Sequence, residues 1–137
     1  MGLYLTIFDG DEELDGVEIG SYADFAFFRE AVVAALEGGR VGSRFPTLIL
    51  HPDNDGEWNS TDAIKLEREL TEIASEFQNY PPVTLPAGWK TEVAKSAKIE
   101  AATFYDCFFD IDGVPLLQRL IDLARLSQER DLPILFQ

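Results

Sequence analysis

The 137-residue sequence is poor in cysteine and histidine, with one of each, and these shortages exclude several classes of protein. The single cysteine, Cys107, permits neither an internal disulfide nor a multi-cysteine zinc site. It lies in the apolar stretch FYDCFF, where we expect a buried and unreactive thiol. A chain that needs no disulfide suits a reducing compartment, so we predict a cytoplasmic protein.

Positive charge is also scarce, because 11 Lys and Arg stand against 25 Asp and Glu, for a formal net charge of −14. Such a surface repels phosphate backbones, so we expect no nucleic-acid binding. It attracts a basic protein partner and accelerates the encounter, although acidity alone also keeps proteins soluble. No apolar run approaches the ~20 residues of a membrane span, so we expect no membrane insertion.

The chain does contain enough apolar material for one core, at 46% of its residues, and we predict a single domain over residues 1–137. Apolar runs and turn residues predict strands at residues 3–8, 17–19, 47–50 and 133–136, with a polar loop at 9–15. Helical spacing and capping residues predict helices at residues 21–36, 60–78 and 115–129. We therefore predict an α+β or α/β fold, with one mixed sheet packed against about three main helices.

The segment HPDNDGEW at residues 51–58 is the first candidate site, because it holds the only histidine and three acids. It does not match an EF-hand, since His51 falls at the first ligand position, where Ca²⁺ prefers oxygen. A second DxDG at residues 110–113 fails as well, because Arg119 falls at the last ligand position. We predict that both segments are Asp-Gly turns before helices. The alternative is a small divalent-metal- or ligand-binding protein that uses the DxDG turns and His51.

Catalysis has little support in this sequence. His51 follows a predicted central strand, where open α/β sheets form ligand crevices. No G-x-S-x-G or H-E-x-x-H signature accompanies it, so we expect neither an enzyme nor a cofactor or metal.

Acidic residues near the start and in HPDNDGEW form the second candidate site, a surface for a protein partner. The acids make one negative field if the two segments converge in the fold. Trp58 adds an aromatic side chain of the kind found at interface hot spots, although a Trp at this place can also cover the core. The predicted partner-binding residues are Asp9, Asp11, Glu12, Glu13, Asp15, Glu18, Asp53, Asp55, Glu57 and Trp58.

Four stretches carry a resemblance to a known family: GSYADFAFFRE, GSRFPTLILHPDNDGEW, YDCFFDIDGVPLLQRLIDL and PILFQ. Together, and in this order, they resemble the immunity protein 70 family of bacterial polymorphic toxin systems. The resemblance implies a small cytoplasmic protein that neutralises a cognate toxin domain by binding it, without catalysis or cofactor. Toxins that attack nucleic acids must be basic to hold phosphate, so a basic nuclease is a fitting partner. The strongly apolar first helix permits a homo-oligomer without requiring one.

Overall fold

The fold is built on a four-stranded sheet, and the structure, a computed structural model, describes residues 2–52, 56–83 and 88–137. The strands are β1 (Gly2–Asp9), β2 (Glu12–Ser21), β3 (Glu57–Trp58) and β4 (Ile134–Phe136). The helices are α1 (Tyr22–Leu36), α2 (Pro46–Ile49), α3 (Ser60–Phe77), α4 (Trp89–Ser96) and α5 (Leu116–Arg130), with a short 3-10 helix at Phe104–Cys107. The predicted α+β domain is confirmed.

The strand order is β2-β1-β4-β3, and each of these neighbouring pairs is antiparallel. Strands β1 and β2 form a hairpin that pairs down to Asp9 and Glu12, and Gly10 supplies the positive φ of +62° at the turn. The predicted strands at 3–8, 17–19 and 133–136 are confirmed. The predicted polar loop at 9–15 is wrong except for a two-residue turn at Gly10 and Asp11, because Asp9 and residues 12–15 belong to the two strands of the hairpin.

Helices α1, α3 and α5 pack against the sheet. Alternating side chains of β1 point into the core, and Leu3, Leu5 and Ile7 are fully buried. Helix α1 begins with the predicted capping box, in which the Asp24 N–H donates to Ser21 Oγ at 3.2 Å and the Ser21 N–H donates to Asp24 Oδ2 at 2.7 Å. The N-cap of helix α3 is Asn59, the residue before Ser60.

The predicted central strand at residues 47–50 is wrong, because this segment is the short helix α2. Pro46 occupies its first turn, where a missing N–H costs nothing. The buried carboxylate of Glu69 on α3 accepts the N–H groups of Thr47 at 3.2 Å and Leu48 at 3.0 Å. Because those donors are satisfied from another helix, the segment closes a helical turn instead of joining the sheet.

Candidate partner-binding surface

One side of the sheet is turned away from the helices, and we call it the open face. Residues directly opposite each other in an antiparallel pair lie on the same face, so the register identifies its members. Glu57 lies opposite Leu135, which lies opposite Thr6, while Tyr4 lies opposite Glu18 and Phe8 opposite Glu13. The open face is defined by Tyr4, Thr6, Phe8, Glu13, Glu18, Glu57 and Leu135, of which Thr6 is fully buried and the glutamates are exposed.

Glu13 is the centre of a hydrogen-bonded group on the open face. The hydroxyl of Thr6 donates to Glu13 Oε1 at 2.9 Å. A hydrogen bond to Glu13 raises the pKa of Tyr4 to about 12, and burial and the charges of Glu13, Asp15 and Glu18 contribute in the same direction. Gly16 permits this arrangement, because any Cβ there would collide with the Tyr4 hydroxyl. The tyrosine therefore stays protonated beside a fixed negative charge.

Two of the predicted hairpin acids are paired with arginines. Asp15 lies opposite the buried Ile7, and Arg119 of α5 reaches its Oδ1 at 3.4 Å. Asp9, at the end of β1, pairs with Arg130 at 3.2 Å. Asp11 and Glu12 are exposed at the hairpin turn. The hairpin thus carries all six of its predicted acids but divides them: Glu13 and Glu18 lie on the open face, and Asp15 lies on the side of the buried Ile7. Asp9 and Asp15 are partly neutralised.

The two acidic segments converge only in part. Glu57 shares the open face with Glu13 and Glu18, although β4 separates β3 from β1. Strand spacing therefore places Glu57 roughly 10 Å from the Thr6 position across the sheet. Asp53 and Asp55 lie outside the described residues.

The prediction that Trp58 belongs to the recognition surface is wrong. Its side chain is 1% exposed, because it lies opposite the buried Ile134 and so faces the core. The indole packs edge-on against Phe136, with ring centroids 4.8 Å apart, and its N–H donates to the Thr47 carbonyl at 3.0 Å. The alternative reading, in which Trp58 covers the core, is the correct one.

His51 follows α2 and not a strand, and its ring is held by the backbone. Its Nδ1 lies 2.6 Å from the Pro52 carbonyl oxygen and its Nε2 lies 2.8 Å from that of Glu57. The ring also stacks on Phe136 at a centroid distance of 4.4 Å. These contacts hold the His51 ring against β3 and β4, so they give His51 a structural role.

The DxDG turn at 110–113 is likewise structural. The buried carboxylate of Asp110 accepts the N–H groups of Asp112 at 2.9 Å and Val114 at 3.0 Å. Arg119 lies 3.4 Å from its other oxygen. Within residues 2–52, 56–83 and 88–137, no group of three or more His, Cys, Asp or Glu side chains is placed to hold a metal ion.

Sequence reasoning missed a buried ionic contact that attaches α4 to the start of α1. The Trp89 indole donates to Asp24 Oδ2 at 3.0 Å, and Lys90 Nζ lies 3.8 Å from Asp24 Oδ1. Burial lowers the pKa of Lys90, and the Asp24 carboxylate offsets only part of this effect. No local sequence pattern predicts this contact, because Trp89 and Asp24 lie 65 residues apart in the chain.

An apolar groove of about 350 Å³ runs between α1 and the segment that leads into α2. Its apolar walls include Ala26, Val33, Val41 and Ile49, with Glu30 at the rim. Val41 is exposed, and so is Leu50 just beyond α2. Part of the apolar surface of the first helix therefore lines this groove.

The fold and the open face together define a small α+β protein with three exposed glutamates, Glu13, Glu18 and Glu57, on one side of its sheet. The chain matches the family model for Immunity protein 70 over residues 3–136, nearly its whole length, and it belongs to that family. The resemblance found in the sequence is confirmed, and the family makes this chain an immunity protein of toxin systems. A search of curated proteins and a search of solved structures each returned no match. Among the helices of the described ranges, none has the length and apolar character needed to cross a membrane.

Proposed function

We propose that this protein binds a cognate toxin domain in the cytoplasm and neutralises it without catalysis or cofactor. Family membership supports the immunity role. The observation that carries the binding proposal is the open face, where Glu13, Glu18 and Glu57 stand without a lysine or arginine among the residues that define it. A surface of this kind favours a partner with a basic surface.

A basic nuclease is the toxin class that this charge fits best. An enzyme that cleaves nucleic acid must hold phosphate with positive side chains. An acidic protein that covers the same side chains competes with the substrate and blocks activity. The exposed hairpin turn, with Asp11 and Glu12, extends the negative field beyond the sheet.

Co-expression tests the proposed function directly. Cells that express the toxin domain encoded beside this chain should stop growing, and the chain should restore growth and purify with the toxin as a complex. A non-cognate toxin domain serves as the control and should not be rescued. Absence of both rescue and complex, with a folded chain and the correct neighbouring toxin, would refute the proposal.

Salt dependence tests the electrostatic part separately. Salt screens charges over about 8 Å at physiological ionic strength, so steered association slows as salt rises. We expect the association rate constant of the pair to fall by about tenfold or more between low and high salt. An association rate that stays flat would show that the acids do not steer the encounter.

A further inference from the structure

From the arrangement of the open face, resting on the proposed function, we infer that this face recognises arginine side chains of the toxin. Glu13 and Glu18 would receive the guanidinium groups, and Phe8 and Tyr4 would supply the aromatic surfaces on which they stack. The inference names both the surface and the chemistry of its partner.

The first argument is that two aromatic side chains lie beside the carboxylate of Glu13. Phe8 lies directly opposite Glu13, and Tyr4, whose hydroxyl lies over Gly16, hydrogen-bonds the Glu13 carboxylate. Side chains in such pairs have Cβ atoms about 5 Å apart on one face. A guanidinium is planar, so it can stack on an aromatic ring while its N–H groups bond an adjacent carboxylate. A lysine ammonium offers a point charge without the flat surface, and gains less from the pairing.

The second argument is that the apolar members of this face are not used by the core. The residues on the inner side of β1 are fully buried in the core. On the other side Thr6 is also fully buried, whereas Tyr4, Phe8 and Leu135 are each only partly buried. Glu13, Glu18 and Glu57 are exposed around them. Apolar surface ringed by charges of one sign has the composition of a contact area for an oppositely charged partner.

The third argument is that the β2 edge is blocked, which favours recognition through side chains. The Gly16 carbonyl accepts a hydrogen bond from Arg119, and the Glu18 carbonyl accepts one from the Ile111 N–H at 3.4 Å. A toxin strand that extended the sheet would find these two acceptors occupied. The exposed side chains of the hairpin, Glu13 and Glu18 among them, remain accessible to a partner.

The test compares two double variants that remove the same charge from different places. Glu13→Gln with Glu18→Gln alters the open face, whereas Glu30→Gln with Glu129→Gln alters two exposed acids on helices. Affinity for a catalytically inactive form of the toxin domain is measured by calorimetry. We expect the affinity of the face variant to fall by about 30-fold or more, because its charged groups would lose hydrogen-bonded partners on the toxin. The affinity of the helix variant should fall by no more than about threefold.

A second measurement keeps the test valid if the face variant does not fold. Glu18→Gln alone should fold and lose affinity by about tenfold, because the contacts described for Glu18 use its backbone. Phenylglyoxal treatment of the toxin, which blocks guanidinium groups, should abolish binding, while acetylation of its lysines should leave most of it. Circular dichroism checks that the treated toxin stays folded.

The outcomes separate this inference from the proposed function. Equal losses in the two double variants, or binding that survives arginine modification but not lysine acetylation, would overturn the arginine-binding face while leaving the immunity role intact. A chain that does not bind the toxin at all would overturn both.

Discussion

Replacing Trp58 distinguishes a core residue from a recognition residue. The side chain is 1% exposed and packs against both His51 and Phe136, with ring centroids 5.1 Å and 4.8 Å away. Truncation of a buried aromatic side chain to alanine costs about 3–5 kcal/mol. The stability of a domain of this size is about 5–15 kcal/mol, so Trp58→Ala should remove a large part of it.

Trp58→Phe is the matched variant, because it keeps an aromatic ring and loses the N–H that donates to Thr47 at 3.0 Å. The loss of that hydrogen bond and of part of the ring should cost about 1–2 kcal/mol. Urea unfolding followed by far-ultraviolet circular dichroism gives both free energies by linear extrapolation. Toxin affinity of folded Trp58→Phe should change by less than about twofold, since the side chain makes no surface contact.

Two results would refute this reasoning. The first is a decrease of less than about 1 kcal/mol in the free energy of unfolding of Trp58→Ala, with an unchanged slope against urea concentration. That result would mean that the side chain is not packed in the core. The second is a Trp58→Phe variant that keeps its full stability and loses toxin binding. That result would mean that Trp58 belongs to the recognition surface.

Three further predictions follow from the buried and coupled acids. Glu69→Ala should cost about 2–3 kcal/mol and speed amide hydrogen exchange at Leu48, because two N–H groups of α2 lose their acceptor. Burial alone would raise the pKa of Asp24, but hydrogen bonds from Ser21 and Trp89 and the Lys90 charge lower it below 3.8 overall. The contribution of Asp24 to the free energy of unfolding is therefore complete above pH 3.8 and disappears as pH falls through its folded-state pKa. In Asp24→Asn, the free energy of unfolding measured in urea should therefore depend less on pH in this acidic range. Glu13→Gln should bring the pKa of Tyr4 down from about 12 towards 10.0 in an ultraviolet titration of the phenolate, and an unchanged titration would contradict the Tyr4–Glu13 hydrogen bond.

The elements that the sequence predicted correctly are those with a long or regular pattern. The three main helices have apolar stripes at helical spacing and clear caps, so local residues determine them. The apolar run at 47–50 is too short for its period to distinguish a strand from a buried helix. Its outcome depends on Glu69, which comes from another helix more than 20 residues away.

The candidate surface was predictable in composition but not in geometry. The hairpin acids are visible in the sequence, yet Asp9 and Asp15 meet arginines of α5 that are 104 or more residues away. The direction of Trp58 depends on its register with β4, at the other end of the chain. Such contacts between distant segments are fixed by the tertiary fold and leave no local signal.

The most direct test of the immunity role is a titration of toxin activity with the purified chain. A fixed amount of active toxin domain is mixed with increasing amounts of this protein, and the remaining activity on its substrate is measured. The proposed function predicts that activity falls linearly and disappears near one equivalent, as expected for a tight complex without turnover. Full toxin activity in the presence of excess folded chain would contradict it.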